Sequence, residues 1–305
     1  METLISRNSR IDNLKKAYTL CENLAKSHYE NFTIASWLIP KKKRNHIYAI
    51  YSYCRYTDDL GDEYHGNKQK AIDHWERDLL NCYNGTPNHP YMIALQQTIK
   101  EFDIPIEPFL KIIKANRMDQ THKRYQTFSD LEKYCQNSAN PVGHLILHLN
   151  GYKDIKRRTL SDYICTALQL SNFWQDIHRD YLMGRIYIPH EDLNRFGCSE
   201  DQLGQKDFND SFRNLMSFEV ERTRHLFYKG YKLMEGVEGY LKLDVALYIL
   251  GGLKILDRIS KQGYDVLNTR PTISKMTKTG LLLKAMFNIF YSEKDRYSKN
   301  HSRKL

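Results

Sequence analysis

Apolar residues along this chain recur every three to four positions, which is the spacing of an amphipathic α-helix. Alternating Val, Ile and Thr runs closed by tight glycine turns, the usual signs of strands, are missing. The pattern therefore predicts an all-α protein. Prolines lie at or near several of the predicted breaks, where they are best tolerated. The predicted helices cover residues 44–62, 68–83, 89–102, 106–121, 128–150, 158–183, 209–236, 240–267 and 272–292.

The longest interruption of this helical pattern is residues 184–208, which contain Gly, Pro and many polar residues. We predict a loop with one short helix there. No Gly/Ser linker or block of like charge divides the chain, and no solenoid repeat is present. We therefore predict one domain over residues 1–305, with a motif-bearing core at 20–270 and a basic tail at 292–305.

The chain has 305 residues and a formal net charge of +10, which suits nucleic acid, an anionic membrane or a phosphorylated small molecule as a partner. The basic residues are dispersed and no recognition motif is present, so we do not expect nucleic acid binding. Six Cys without a C-x-x-C pair predict free thiols in a reducing cytoplasm and no zinc site. The N-terminus lacks an apolar signal segment, which predicts a cytoplasmic protein.

Two acidic clusters lie in otherwise apolar and aromatic helices. Asp58 and Asp62 are one helical turn apart, and Asn172, Asp176 and Asp180 repeat that spacing over two turns. Like charges one turn apart repel, so we expect a bound cation to stabilise them. Mg²⁺ takes carboxylate oxygens and bridges to substrate phosphates. A lone pair of this kind is usually a solvated surface, but two clusters on facing helices would clamp a metal-bound diphosphate over an apolar cavity.

These residues carry a resemblance to the squalene/phytoene synthase family, the head-to-head prenyl synthases. That family has two Asp-rich motifs on facing helices of an all-α bundle with a central apolar cavity. Residues 134–143 and 184–197 are also similar to segments beside the second motif. The resemblance implies an isoprenoid-biosynthesis enzyme that uses Mg²⁺ and a prenyl diphosphate substrate. The matching motif residues are Arg55, Asp58, Asp59, Asp62, Gln169, Asn172, Asp176 and Asp180.

Finer residues favour one branch of the family. The stretch HYENFTIAS (28–36) resembles the opening of bacterial hydroxysqualene synthases. Many members that condense two prenyl diphosphates have Arg immediately before the Asp of the second motif, where this chain has Gln175. The missing charge favours an enzyme that accepts presqualene diphosphate already made. The implied reaction ionises this substrate, rearranges the carbocation and captures water, giving hydroxysqualene in the bacterial route to squalene and hopanoids.

The resemblance also implies which residues form the site. The catalytic and metal-binding set is Asp58, Asp62, Asn172, Asp176 and Asp180. Arginine side chains of the substrate-binding set would contact the diphosphate, and its aromatic residues, with Tyr48, would steer the carbocation. The substrate-binding set is His28, Asn31, Phe32, Tyr51, Arg55, Tyr134, Gly143, Gln169, Phe173, Gln175, Arg185, Tyr248 and Arg270.

Several of these residues have simpler alternatives. Aromatic residues on a helix face are more often core than cation-steering wall. Arg55 could be an ion-pair partner of Asp59 or Glu63, and Gln169 could tie helices together. Asp119 and Lys123 have the spacing of an ordinary helical ion pair, so we predict no role for them.

Three other functions stay open at this point. A condensing synthase would make presqualene diphosphate, squalene or dehydrosqualene from two farnesyl diphosphates, and a phytoene synthase is less favoured. A non-catalytic basic helical protein would bind membranes or other enzymes of the squalene and hopanoid pathway. The basic stretches 40–46 and 292–305 raise peripheral contact with an anionic inner membrane face as an expectation in each case.

Overall fold

The computed structural model describes residues 2–27, 39–274, 276–277 and 279–287. These residues form helices and no strand, which confirms the all-α prediction. They group into two compact units, residues 1–165 and 166–305, whose boundary lies inside one long helix. The single-domain assignment stays a prediction. No helix within these described ranges is long and apolar enough to cross a membrane.

The first unit is organised around its second helix, which packs against five of the six other helices of the unit. The middle of this helix, from His46 to Ile50, is buried because its apolar residues face these neighbours. The helices are α1 (Glu2–Ser27), α2 (Lys41–Asp62), α3 (Lys68–Asn84), α4 (Pro90–Phe102), α5 (Glu107–Thr121), α6 (Phe128–Ser138) and α7 (Asn140–Leu149).

Helix α1 was not among the predicted helices. It contacts α2 and α4 through the small buried residues Ala17, Cys21 and Ala25, which recur every four positions. Small side chains let helices approach closely but give a weak apolar signal in the sequence. Tertiary packing rather than a strong amphipathic pattern therefore stabilises this helix.

The second unit contains the C-terminal part of α8 and the helices after it. Helix α11 packs against α13, and Gly252 permits this because a Cβ there would overlap the ring of Phe227. The helices are α8 (Ile155–Leu182), α9 (His190–Arg195), α10 (Glu200–Gln205), α11 (Asp210–Gly230), α12 (Leu233–Gly236) and α13 (Gly239–Lys261), with further helical residues at 276–277 and 279–287.

Four predicted boundaries were wrong. The predicted helix 128–150 is split into α6 and α7 at Ala139, where Pro141 in the first turn of α7 lacks an N–H to continue α6. The helix predicted to reach residue 267 ends at Lys261, because Gly263 adopts a φ of 70° that a right-handed helix excludes. Likewise, α11 ends before α12, and residues 184–208 hold two short helices instead of one.

Candidate active site

The first aspartate cluster lies on the last two turns of α2. Asp58 and Asp62 are both inside this helix, so the predicted one-turn spacing is present. Helix α5 lies against the same turns: Asn116 Nδ2 donates a hydrogen bond to Asp58 Oδ1 at 3.2 Å, and Gln120 Nε2 donates one to the Gly61 carbonyl at 3.1 Å. A Cβ on Gly61 would overlap the Asn116 amide, so this glycine makes the approach of α5 possible.

The surroundings of Asp58 disfavour its charged form. Desolvation by the surrounding protein raises the pKa of Asp58, and the nearby charges of Asp62 and Asp119 add to it, while the Asn116 amide and Arg55 oppose it. Both Asp58 and Asp62 nevertheless keep solvent-exposed side chains. A crowded carboxyl that solvent can still reach is a position where a cation would restore the charged form.

The guanidinium of Arg55 pairs with two neighbouring carboxylates rather than with Asp58. Its Nη2 lies 2.6 Å from Asp59 Oδ1 and 3.0 Å from Glu63 Oε1, which are the ion pairs considered as the simpler alternative. These pairs direct the guanidinium toward the exposed carboxylate of Glu63. A role of Arg55 in diphosphate binding stays a prediction.

Helix α5 supplies two residues to which the sequence gave no role in the site, Asn116 and Asp119. Asp119 was noted only for the spacing of an ordinary ion pair with Lys123. Its Oδ2 accepts a hydrogen bond of 3.0 Å from the Tyr134 hydroxyl, and its charge acts on Asp58. The available signal was spacing, because Asn116 and Asp119 lie on one face of a helix. Tyr134, predicted as part of a cation-steering wall, is buried and fixed by this bond.

The second cluster lies where α8 kinks. Asp176 has non-helical backbone angles, φ −110° and ψ 16°, so the prediction of one regular face over two turns was wrong. Asn172 is exposed, whereas Asp176 and Asp180 are half-buried. The helix is therefore not regular through the second cluster, although the charge of Asp176 still acts on Asp180.

Asp176 is bonded to Arg270, which comes from the segment after α13. Arg270 Nε lies 2.6 Å from Asp176 Oδ1 and Nη2 lies 2.9 Å from Oδ2, a bidentate pair. The preceding residue, Gln175, is buried and donates from Nε2 to the Pro271 carbonyl at 2.8 Å. Two consecutive residues of α8 thus hold two consecutive residues of this later segment.

Asp180 lies among more positive charge than Asp58 does. Desolvation, followed by the charge of Asp176, raises the pKa of Asp180 to about 7, while Arg185, Arg179 and Arg270 oppose the shift. The turn after α8 brings Arg185 back, since its N–H donates to the Asp180 carbonyl at 2.8 Å and Gly184 takes a φ of 76°. The mixture of carboxylates and arginines suits a ligand that carries both metal and phosphate.

A small recess beside Asp180 has aromatic walls. Phe173 stacks on Tyr187 with ring centroids 3.7 Å apart and an interplanar angle of 7°. Trp174 is buried, and its Nε1 donates to Thr223 Oγ1 at 2.8 Å. Phe173 was a predicted wall residue, whereas Tyr187 was missed because the loop after α8 places it. The recess is lined by Phe173, Trp174, Ile177, Asp180, Arg185, Ile186, Tyr187, Ile188 and Leu203.

Some of the remaining predicted residues pack between helices, and for the others a role in substrate binding stays a prediction. Tyr48 belongs to the α1–α2–α4 core and Tyr51 packs against it. Gly143 allows α7 to approach α8, because a Cβ would overlap the side chains of Ser161 and Cys165. Gln169 is half-buried and Tyr248 is exposed, and their binding roles stay predictions. The predicted residues outside the described ranges are His28, Asn31 and Phe32.

The donor types of both clusters fit Mg²⁺, since carboxylate and amide oxygens are its preferred protein ligands. In the part of the chain that the structure describes, no three His, Cys, Asp or Glu side chains converge into a preformed metal site. All six cysteines lie within the described residues as free thiols. A metal-binding role and the facing arrangement of the two clusters stay predictions.

Comparison with known proteins gives matches over nearly the full chain. A family model described as squalene/phytoene synthase matches residues 25–277, which include both clusters. A 15-cis-phytoene synthase from Synechocystis sp. is 33% identical over 280 residues, covering 86% of this chain and 83% of that protein. The crystal structure of squalene synthase HpnC from Alicyclobacillus acidocaldarius is 43% identical with a TM-score of 0.80, covering 82% of this chain and 95% of that one. A dehydrosqualene synthase crystallised with a ligand is 27% identical with a TM-score of 0.84, covering 92% and 99%.

Proposed function

Because the chain belongs to the squalene/phytoene synthase family, we propose that it converts presqualene diphosphate to hydroxysqualene. The family assignment makes it an enzyme acting on prenyl diphosphates. The proposal concerns which reaction it performs: loss of diphosphate, rearrangement of the carbocation and capture of water.

The observation that carries the proposal is the neutral residue beside Asp176. Gln175 occupies the position where many condensing members of the family have Arg, and its amide donates to the Pro271 carbonyl. Position 175 therefore contributes no positive charge to the second cluster. Condensation has to bind two diphosphates, so fewer cationic groups favour a substrate with a single diphosphate. The 43% identity to a protein named squalene synthase, against 33% to a phytoene synthase, also supports a C30 substrate.

The aspartate clusters would hold Mg²⁺ through Asp58, Asp62, Asn172, Asp176 and Asp180. When bound, the metal would supply positive charge that stabilises the departing diphosphate. Arg185 and Arg270 would donate hydrogen bonds to the oxygens of the same leaving group.

The stacked pair Phe173–Tyr187 would line the path of the carbocation next to Asp180, because an aromatic face stabilises a nearby positive charge. In the last step the carbocation forms a C–O bond to water. The water loses a proton to the diphosphate already released, which balances the charge and leaves an alcohol without any reductant.

A second candidate is a condensing synthase, which is favoured by the names of the curated relatives, such as the Synechocystis 15-cis-phytoene synthase. It would join two prenyl diphosphates in the same site. A non-catalytic membrane-associated protein is less well supported, because it would not need two intact carboxylate clusters. Contact with anionic membranes and with other pathway enzymes stays a prediction.

One experiment separates these candidates. The purified full chain is incubated with Mg²⁺ and, in separate reactions, presqualene, farnesyl or geranylgeranyl diphosphate, without nicotinamide cofactor, and products are identified by mass spectrometry. A C30 alcohol from presqualene diphosphate alone supports the proposal. Condensed product from farnesyl or geranylgeranyl diphosphate would replace it with the second candidate. No release of diphosphate from any substrate would favour the non-catalytic protein.

A further inference from the structure

The contact between α8 and the segment after α13 joins two residue pairs of different chemistry. Asp176 and Arg270 form a bidentate ion pair at 2.6 and 2.9 Å. Gln175 and Pro271 form a neutral hydrogen bond of 2.8 Å. The arginine side chain is 51% exposed, whereas Gln175 is 7% exposed. The neutral bond is therefore the buried half of the contact and the ion pair is the solvent-facing half.

The buried hydrogen bond between Gln175 and Pro271 determines the position of Arg270. An exposed ion pair does little to order a flexible side chain by itself. Proline has a fixed φ, and the residue before a proline is restricted to extended conformations. Fixing the Pro271 carbonyl therefore also fixes the backbone from which Arg270 projects. On the other side of Arg270, Gln262 Nε2 donates to the Thr269 carbonyl at 2.8 Å.

We propose that Gln175 is a positioning residue, which holds Arg270 through Pro271 so that the guanidinium is available to the substrate diphosphate. Arg270 pairs with both carboxylate oxygens of Asp176. With a metal-bound diphosphate at the second cluster, Arg270 would stay beside Asp176 and donate to the diphosphate oxygens. This inference rests on the proposed function, since it assumes a metal-bound diphosphate at the second cluster.

The neutrality of Gln175 is part of this arrangement. A cationic side chain at position 175 would repel the guanidinium that lies next to it. An anionic side chain would repel the Pro271 carbonyl and compete with Asp176 for Arg270. An amide can donate to the carbonyl without either effect. Residue 270 thus supplies the positive charge beside Asp176, and residue 175 orients it.

A double-mutant cycle tests this role through binding rather than turnover. The affinity of the full chain for inorganic diphosphate is measured calorimetrically in saturating MgCl₂ for the wild type, Gln175→Leu, Arg270→Gln and the double variant. We expect Gln175→Leu to weaken binding about five- to tenfold and Arg270→Gln to weaken it at least as much. The double variant should bind no more weakly than Arg270→Gln, because Gln175 acts through Arg270.

Gln96→Leu is the matched control. Gln96 Nε2 also donates to backbone carbonyls, those of Asn81, Cys82 and Gly85, but in the first unit. The same substitution there should leave diphosphate affinity unchanged. If Gln175→Leu does not fold, as judged by circular dichroism, Gln175→Met takes its place in the cycle, because it keeps the length of the side chain, cannot donate to the Pro271 carbonyl and adds no charge.

The possible results are distinguishable. An equal loss from Gln175→Leu in both backgrounds, or no loss at all, overturns the positioning role while leaving the proposed function intact. Diphosphate binding by the wild type without turnover of presqualene diphosphate overturns the proposed function alone. A wild type that binds no diphosphate in the presence of Mg²⁺ overturns both.

Discussion

The two aspartate clusters share a spacing in the sequence but differ in their electrostatics. On α2, Asp58 accepts its hydrogen bond from a neutral amide, while Arg55 is drawn to Asp59 and Glu63. On α8, Asp176 is already paired with an arginine. The same D-x-x-x-D pattern thus gives two different sites. At the first, a cation from solution would stabilise the carboxylates, whereas at the second Arg270 already provides a positive charge.

This difference suggests a division of labour between the clusters. The first, rich in acid and open to solvent, is the better site for metal alone. The second combines carboxylates with Arg185 and Arg270, which suits an anionic ligand that brings metal with it. The predictions below test this division, from the largest expected effect to the smallest.

Replacing Asp176 should have the largest effect. Asp176→Ala removes a proposed metal ligand and leaves Arg270 without its partner, so we expect turnover of presqualene diphosphate to fall at least about 100-fold. Steady-state product formation measures this, and circular dichroism should show that the fold persists. Asp257→Ala is the control, since Asp257 lies on α13, outside both clusters, and pairs with Arg224 of α11. Near-normal turnover of Asp176→Ala would contradict the hypothesis that the two clusters hold a metal-bound diphosphate.

The next prediction uses a buried acid outside both clusters as a reference for desolvation. Asp244 on α13 is 9% exposed, and its Oδ1 has no hydrogen-bond partner among the described residues. Burial raises the pKa of Asp244 from 3.8 to about 7. Between these values the folded state holds a proton that the unfolded state has lost, so stability falls as pH rises from 4 to 7 and is then constant.

Asp244→Asn should remove this dependence. Relative to the wild type, we expect the variant to gain about 3 kcal/mol of unfolding free energy between pH 5 and pH 8, measured by urea denaturation. Asp257→Asn controls for loss of a carboxylate, because Asp257 lies on the same helix and its side chain is 45% exposed. A constant difference between Asp244→Asn and the wild type across this range would show that burial does not control the titration of Asp244.

The third prediction separates the clusters by their affinity for metal alone. Asp58→Asn should weaken binding of Mn²⁺ in the absence of diphosphate about tenfold, because it removes a carboxylate from a cation-poor site. Asp176→Asn should change this affinity much less, since Arg270 already occupies Asp176. Titration followed by electron paramagnetic resonance measures both. The reverse order would assign metal binding to the second cluster.

The sequence predicted the first cluster better than the second for a physical reason. Asp58 and Asp62 lie on a regular helix, so periodicity alone gives their relation. Asp176 lies at a kink, and its partner Arg270 is 94 residues away along the chain. Local spacing contains no information about such contacts, and even the assignment of Gln175 as a discriminating residue did not predict its bond to Pro271.

The helices of the fold also differ in how well the sequence predicted them. Helices with a clear apolar face, such as α3 and α4, were predicted to within a residue at each end. Helix α1 was missed because its contacts use small residues, and the first cluster's supporting residues on α5 were missed because Asn116 reaches Asp58 across 58 positions. Packing and long-range hydrogen bonds, rather than periodicity, decide these features.

The smallest expected effect concerns the support of the first cluster by Tyr134. Tyr134→Phe removes the hydrogen bond to Asp119 but keeps the ring, so the unfolding free energy should fall by about 1 kcal/mol. Tyr83→Phe is a matched control, because the Tyr83 hydroxyl donates to the Ile104 carbonyl at a similar distance of 3.0 Å but on α3. Both variants should lose similar stability in urea denaturation, while only Tyr134→Phe should raise the Mg²⁺ concentration needed for half-maximal turnover, since Asp119 acts on Asp58. An identical Mg²⁺ dependence of the two variants would mean that the first cluster does not depend on the Tyr134–Asp119 bond.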